Sequence, residues 1–340
     1  MNSLPIHRIW VLFTFRNKTN YPITSRSKLK FRKLGKTNLL VSEIGFGAWA
    51  ISGRGYGPTD DKESIRALHR VLDLGVNFID TADIYGDGHS EELIGRVLKE
   101  RGDKETIIAT KFGWDFYRDG GIKSNLKKNY ISFALENSLR RLGRDCIDIY
   151  QIHNSKPADI ERDSVYETLD ELKEQGKVRF YGVSAFYNED GISAIRTGKP
   201  DTIQVIYNIL EQEAEERLFP LALKNNIGII AREPLAGGLL TGKYNENSKF
   251  PKTDHRHGWN EKFLEDGARK VGKLKFLKKE GQTLIQAALR FSLSHKAVSV
   301  VIPGAKTVKQ VEENISAAES ELSSDELERI WKLYRSDFLS

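Results

Sequence analysis

A carboxylate, a phenol, an ammonium and an imidazole stand at or just past the ends of three successive apolar runs. Asn77-Phe-Ile-Asp80 ends in the carboxylate, and Tyr85 follows five residues later. Ile107-Ile-Ala-Thr-Lys111 delivers the ammonium, and Ile147-Asp-Ile-Tyr-Gln-Ile-His153 the imidazole. The phenol can hand over a proton, and a cation beside it makes that proton easier to lose. Taken singly, each residue has a plainer reading. Asp80 can cap a turn, Tyr85 can be a surface aromatic, Lys111 can be solvated, and His153 can be a satisfied core histidine. Their joint placement at neighbouring strand ends is what favours acid–base chemistry.

The elements that must hold them alternate along the chain. Strand-like runs lie near 41–49, 77–82, 106–112, 147–153, 178–184, 202–208, 227–232 and 298–303. Amphipathic helical stretches lie between them. In Lys62 to Leu74, for example, Ile65, Leu68, Val71 and Leu72 share a face, and Asp60 or Asp61 can cap the start. Eight strands each followed by a helix predict a closed parallel (β/α)8 TIM barrel. An N-terminal β-hairpin over 31–41 leads in, and extra helices follow the last strand. In such a barrel catalytic groups belong at the C-terminal strand ends, where Asp80, Lys111 and His153 fall, with Tyr85 on the loop beyond.

The 340 residues fit one barrel domain over 30–340. Cys146 is the only cysteine, so there is no disulfide framework and no cysteine-based metal cluster. A reducing, cytoplasmic setting is the expectation, with no metal. Apolar runs such as Ile227-Gly-Ile-Ile-Ala231 are far too short to span a bilayer, so no membrane partner is expected. The net charge of +6 suggests nucleic acid until it is located. Arg8, Arg16, Lys18, Arg26 and Lys28 carry +5 within residues 1–29, which hold no acid, and the remaining chain is nearly neutral. No nucleic-acid partner is therefore expected.

An ordered set of motifs carries a resemblance. "GFGAWA" stands at 45–50, "NFIDTADIYG" at 77–86, "IIATKFG" at 107–113, "IDIYQIHN" at 147–154 and "YGVSAF" at 181–186. "IQVIYNIL" at 203–210, "PLAGGLLTGKY" at 234–244 and "VIPGAKTVKQVEEN" at 301–314 follow. From about residue 30 onward the chain resembles an aldo-keto reductase, of the bacterial, archaeal and potassium-channel-β branch. The resemblance implies a barrel that binds NAD(P)H without a Rossmann domain. Gly45-x-Gly47-x-x-Ala50 loosely fits the dinucleotide fingerprint. It opens into the glycine-rich loop Ile51–Pro58 rather than a helix, and the fingerprint is rejected. Gly45 and Gly47 are read instead as a close backbone approach near the cofactor.

By resemblance, Tyr85 is the proton donor, Lys111 lowers its pKa, Asp80 holds Lys111, and His153 orients the carbonyl. Ser184 and Gln204 match carboxamide contacts, and Tyr207 the ring that stacks on the nicotinamide. Ala185 departs from the asparagine often found after that serine. Pro234, Leu235 and Lys243 open a segment over 235–261 expected to close over the cofactor pyrophosphate, with Arg256 either a further contact or a solvated cation. Gly304 and Gln310 replace two cations of the aldose reductase branch. Lys306 matches a basic position that can meet a 2′-phosphate, and Lys309 stands near it. Gln310, Glu313 and Asn314 match adenosine contacts. NADPH is the expected cofactor, with NADH possible. Trp49, Tyr56 and Trp114 are candidate walls of the substrate pocket.

The reading is then an NAD(P)H-dependent oxidoreductase that reduces a small aldehyde or ketone to an alcohol. The alternative is a cofactor-binding regulatory or redox-sensing subunit with slow turnover. Oligomeric state is not legible. Residues 1–29 resemble nothing in the family. They are read as disordered or absent from the mature protein, through translation starting at Leu29 or an organellar transit peptide.

Overall fold

The computed structural model describes residues 29–117 and 121–339. The first 28 residues of the basic extension lie outside them. Leu29 packs against the core, and the chain then forms the expected hairpin, β1 (Phe31–Lys33) and antiparallel β2 (Leu40–Ser42). The barrel follows. Its strands are β3 (Phe46–Gly47), β4 (Phe78–Asp80) and β5 (Ile107–Phe112), then, past a small hairpin of β6 (Trp114–Asp115) and β7 (Lys123–Ser124), β8 (Ile147–His153), β9 (Val178–Ser184), β10 (Thr202–Ile206), β11 (Gly228–Arg232) and β12 (Val298–Val301). The eight barrel strands pair in parallel in chain order. The sheet closes on itself through parallel bridges Ile44↔Val301 and Gly47↔Gly304, with Gly45 N–H donating to Val301 O at 2.8 Å.

Closure explains one departure from expectation. The apolar run over 41–49 is not a single strand. Leu40–Ser42 pairs within the hairpin, Phe46–Gly47 enters the barrel, and Ala48–Ile51 coils into a 3-10 turn. Glycine is needed at 47 for packing: a Cβ there would sit 2.6 Å from Ile302 O, across the closing seam.

Side chains alternate across each strand, so every second residue faces the barrel interior. The inward set begins with Phe78, Ile107, Ile149, Ile230 and Val300, which cluster with Leu34, Leu39 and Val41 of the hairpin and fill the lower half. The outward set packs against the helices in a second, larger core. Helices form where the sequence signals them. Asp60 caps Asp61–Asp73 by accepting from Lys62 N, and Thr283 with Gln286 makes a capping box for Leu284–Ser294. Beyond the last strand, Val308–Ser316 and Ser324–Leu333 are the expected extra helices.

Candidate active site

The same alternation carries the chemistry to the top of the barrel. Two residues above Phe78 lies Asp80; two above Ala109 lies Lys111; four above Ile149 lies His153. Lys111 Nζ donates to Asp80 Oδ1 at 2.5 Å, to Thr81 O at 2.7 Å and to the Tyr85 hydroxyl at 3.2 Å. The Tyr85 and His153 rings meet edge to face with centroids 5.8 Å apart. All four predicted side chains are thus gathered into one cluster, and Lys111 is wholly buried.

Burial dominates the electrostatics. It penalises the Lys111 ammonium, but Asp80 and Tyr85 outweigh it and hold the lysine above its ordinary value. Burial likewise pushes the Tyr85 phenol up, and the Lys111 cation offsets this only in part. The expected net lowering of Tyr85 is therefore not found. Lys111 instead limits a rise that burial imposes. His153 is held well below its usual range by burial and by the Lys111 and Arg232 charges, so its imidazole is neutral at neutral pH.

Further round the interior, Gln204 Nε2 donates to Asp80 Oδ2 at 2.6 Å, Gln151 Nε2 does so at 3.2 Å, and Ser184 Oγ donates to Gln204 Oε1 at 3.2 Å. Tyr207 requires a correction. It lies three residues past inward-facing Gln204, so the alternation turns it outward. Its ring is fully buried among Phe219, Phe291 and His295, and its hydroxyl donates to Glu215. It has no face on the site. Arg232, an inward position at the top of β11, lines the site and donates to Ala185 O at 3.2 Å and to Glu233 Oε1 at 2.6 Å.

Two connected spaces meet at Tyr85. One is a groove of about 300 Å³ running from Asp80, Tyr85 and Gln204 to the last helices. Of the predicted cofactor residues, Gly47, Gln204, Pro234, Leu235, Lys243, Gly304, Lys306, Gln310, Glu313 and Asn314 all line it. Two loops clasp over it through an antiparallel bridge, Tyr56↔Asp254. His255 Nδ1 lies 2.8 Å from Gly55 O, and its ring packs on Trp49 and Tyr56. Arg256 is no solvated cation: it makes a double contact with Asp254 and donates to Tyr244 and Gly237 O. Lys306 Nζ donates to Tyr56 O at 2.5 Å, with Gly57 O and Pro58 O at 3.4 and 3.3 Å.

The second space is a cavity of about 680 Å³. Tyr85, His153, Ser184 and Gln204 face it from below, and Trp49, Trp114 and Trp259 wall it. Trp49 and Trp114, two of the three expected walls, line this cavity. Tyr56 does not: the clasp draws it into the groove, against Trp49 and under the Arg256 guanidinium. Among the described residues there is no group of three or more His, Cys, Asp or Glu side chains placed to hold a metal, and no helix long and apolar enough to cross a membrane.

The model of the Aldo/keto reductase family matches residues 43–335. The chain belongs to that family. It is 35% identical to the aldo-keto reductase YhdN of Bacillus subtilis over 291 residues, 84% of this chain and 87% of that one. It is 30% identical to a probable voltage-gated potassium channel subunit beta of Arabidopsis thaliana, covering 86% of this chain and 92% of that protein. Its fold superposes on the holo form of the aldo-keto reductase AKR11C1 from Bacillus halodurans with a TM-score of 0.75. That match has 32% identity over 90% of this chain and 96% of the other.

Arg232 and Gln151 were both recoverable from alternation: Gly228, Ile230 and Arg232 share a face, as do Ile149, Gln151 and His153. The cavity walls Trp259 and Phe263 come from the 235–261 segment and the helix Glu261–Lys273 beyond it, and no local pattern marks them.

Proposed function

We propose that this aldo-keto reductase is an NADPH-dependent reductase of aldehydes and ketones, with Tyr85 as its proton donor. The observation that carries the reading is the buried relay Asp80–Lys111–Tyr85 at the junction of the groove and the aromatic cavity. When bound, the dihydronicotinamide supplies a hydride to the carbonyl carbon. The residues do the rest. A carbonyl oxygen at the junction takes hydrogen bonds from the Tyr85 hydroxyl and the neutral His153 imidazole. Tyr85 releases its proton to that oxygen as negative charge develops there, and the Lys111 ammonium stabilises the phenolate left behind. Asp80 keeps Lys111 charged and aimed. The Trp walls exclude water.

The groove suits a dinucleotide. The Asn314 and Gln310 amides and the Glu313 carboxylate would meet the adenosine, Lys243 and Lys306 the phosphates, and Ser184, Gln204 and Arg232 the nicotinamide end. A panel of aldehydes, ketones and sugars, followed by NADPH absorbance, tests the proposal. No turnover of any of them would sink it. The second reading, a cofactor-holding regulatory subunit, is favoured by the clasp over the groove, which would retard release. Tight NADPH with very slow turnover would support it.

Two expected results belong here. Lys306→Ala weakens NADPH more than NADH, by about 1.5–3 kcal/mol for the lost contact to the 2′-phosphate. Fluorescence titration with both cofactors measures this. Equal weakening would mean that Lys306 serves only to anchor the 56–58 carbonyls it already holds. The second result concerns pH. Because burial raises the Tyr85 phenol, it stays protonated across neutral pH, and carbonyl reduction keeps its rate there. Alcohol oxidation needs the phenolate and climbs as pH rises. An oxidation rate flat from neutral to alkaline pH would remove Tyr85 as the titrating group.

A further inference from the structure

One carboxylate on the wall of the aromatic cavity stands apart from the others. The other charged groups on its wall have close partners: Arg232 with Glu233 at 2.6 Å, Asp266 with both Lys270 at 2.9 Å and Arg269 at 2.7 Å, and His255 with Gly55 O at 2.8 Å and Asp254 at 3.8 Å. Glu211 is left over. It lies half-buried just past β10, and its Oε1 accepts from the Asn208 amide at 3.2 Å. Among the described residues no lysine or arginine reaches it at ion-pair distance. The buried imidazole of His153 is neutral and adds no positive charge. The same cavity is lined by the rings of Trp49, Trp114, Trp259, Phe186 and Phe263. Aromatic faces together with one unpaired carboxylate make a receptor for a cation.

We infer that the cavity selects a carbonyl substrate whose far end is cationic, that Glu211 is the residue that sets this preference, and that a carboxylate at the same position is rejected. The inference rests on the proposed reductase reading and adds a substrate class to it. An ammonium entering the cavity replaces its lost hydration with the Glu211 charge and the ring faces. A carboxylate entering it loses hydration and meets a like charge. Burial raises the Glu211 carboxyl above its ordinary value in the free protein; the Asn208 hydrogen bond and the Arg232 charge oppose this, the Glu233 and Glu213 charges add to it, and a cationic ligand relieves the remaining pressure.

The test uses three para-substituted benzaldehydes of similar size: dimethylaminomethyl, isopropyl and carboxy. Steady-state kcat/KM with NADPH is measured for each at neutral pH. The expected order is cation, neutral, anion, with about tenfold between the first two for one desolvated cation contact. Glu211→Gln keeps an acceptor for Asn208 and removes the charge. In it the cation-to-neutral ratio falls toward one, and the anion closes on the neutral compound. An order that favours the carboxylate in the parent overturns the inference. So does a cation advantage that Glu211→Gln leaves unreduced. If the variant folds poorly, competitive inhibition of the parent by the three matching benzyl alcohols, whose affinity does not depend on carbonyl electrophilicity, must give the same order. Failure to reduce all three, including the neutral aldehyde, counts against the reductase reading itself. Reduction of the neutral aldehyde with no cation advantage counts against the selectivity alone.

Discussion

Tyr85→Phe is expected to bind NADPH as the parent does and to lose carbonyl reduction by a factor of about 10²–10⁴, the usual contribution of a positioned proton donor. The substitution removes one oxygen from a ring that stacks on Trp49 and meets His153 edge to face, so the packing that holds the ring is unchanged. Lys111 loses one of three acceptors and keeps Asp80 and Thr81 O. Stopped-flow or steady-state rates with a good aldehyde, alongside cofactor titration, separate chemistry from binding. A variant that reduces the aldehyde at nearly the parent rate would show that the proton comes from elsewhere.

Lys111→Met is expected to damage both stability and activity, for separable reasons. The ammonium it removes lies wholly buried, 2.5 Å from a carboxylate that is itself buried. Asp80 would then keep only the Gln151 and Gln204 amides. Leaving one member of a buried ion pair without its partner costs about 3–5 kcal/mol. The double variant Asp80→Asn/Lys111→Met removes both charges and should regain most of that stability. It should remain as inactive as the single variant, since nothing then stabilises the Tyr85 phenolate. Urea unfolding of the parent and both variants, with activity measured in parallel, gives the comparison. A single variant as stable as the parent would mean that Asp80 carries no buried charge to be stranded.

Much of this was legible in the chain because a parallel barrel turns spacing into position. Strand ends alternate in and out, so Asp80, Lys111 and His153 could be placed on one rim from their runs alone. Where the reading failed, a single step of that alternation was neglected. Tyr207 was matched by motif, yet its odd spacing from Gln204 sends its ring outward into the core; Arg232, spaced evenly from Gly228, takes an inward place. Tyr56 was misplaced for another reason. Its position is fixed by a loop-to-loop bridge with Asp254, nearly two hundred residues away, and no local pattern encodes such a contact. Electrostatic sign was the third failure. Lys111 beside Tyr85 argued for a lowered phenol, but burial, which sequence does not reveal, proved the larger influence.

The seam where the barrel closes has a consequence for how the fold is held. β3 is two residues long, and closure rests on two isolated bridges and a few backbone hydrogen bonds. Yet Gly47 and Ala50 on one side of that seam, and Ile302, Pro303 and Gly304 on the other, all border the groove. A molecule lying there would touch the first barrel strand and the segment just past the last one together, and would act as a staple across the closing join. Its binding free energy is then also free energy of closure. A ligand bound in the groove would then lower how often the wall parts, and the resistance of the barrel to heat and to proteases would be expected to rise with ligand concentration.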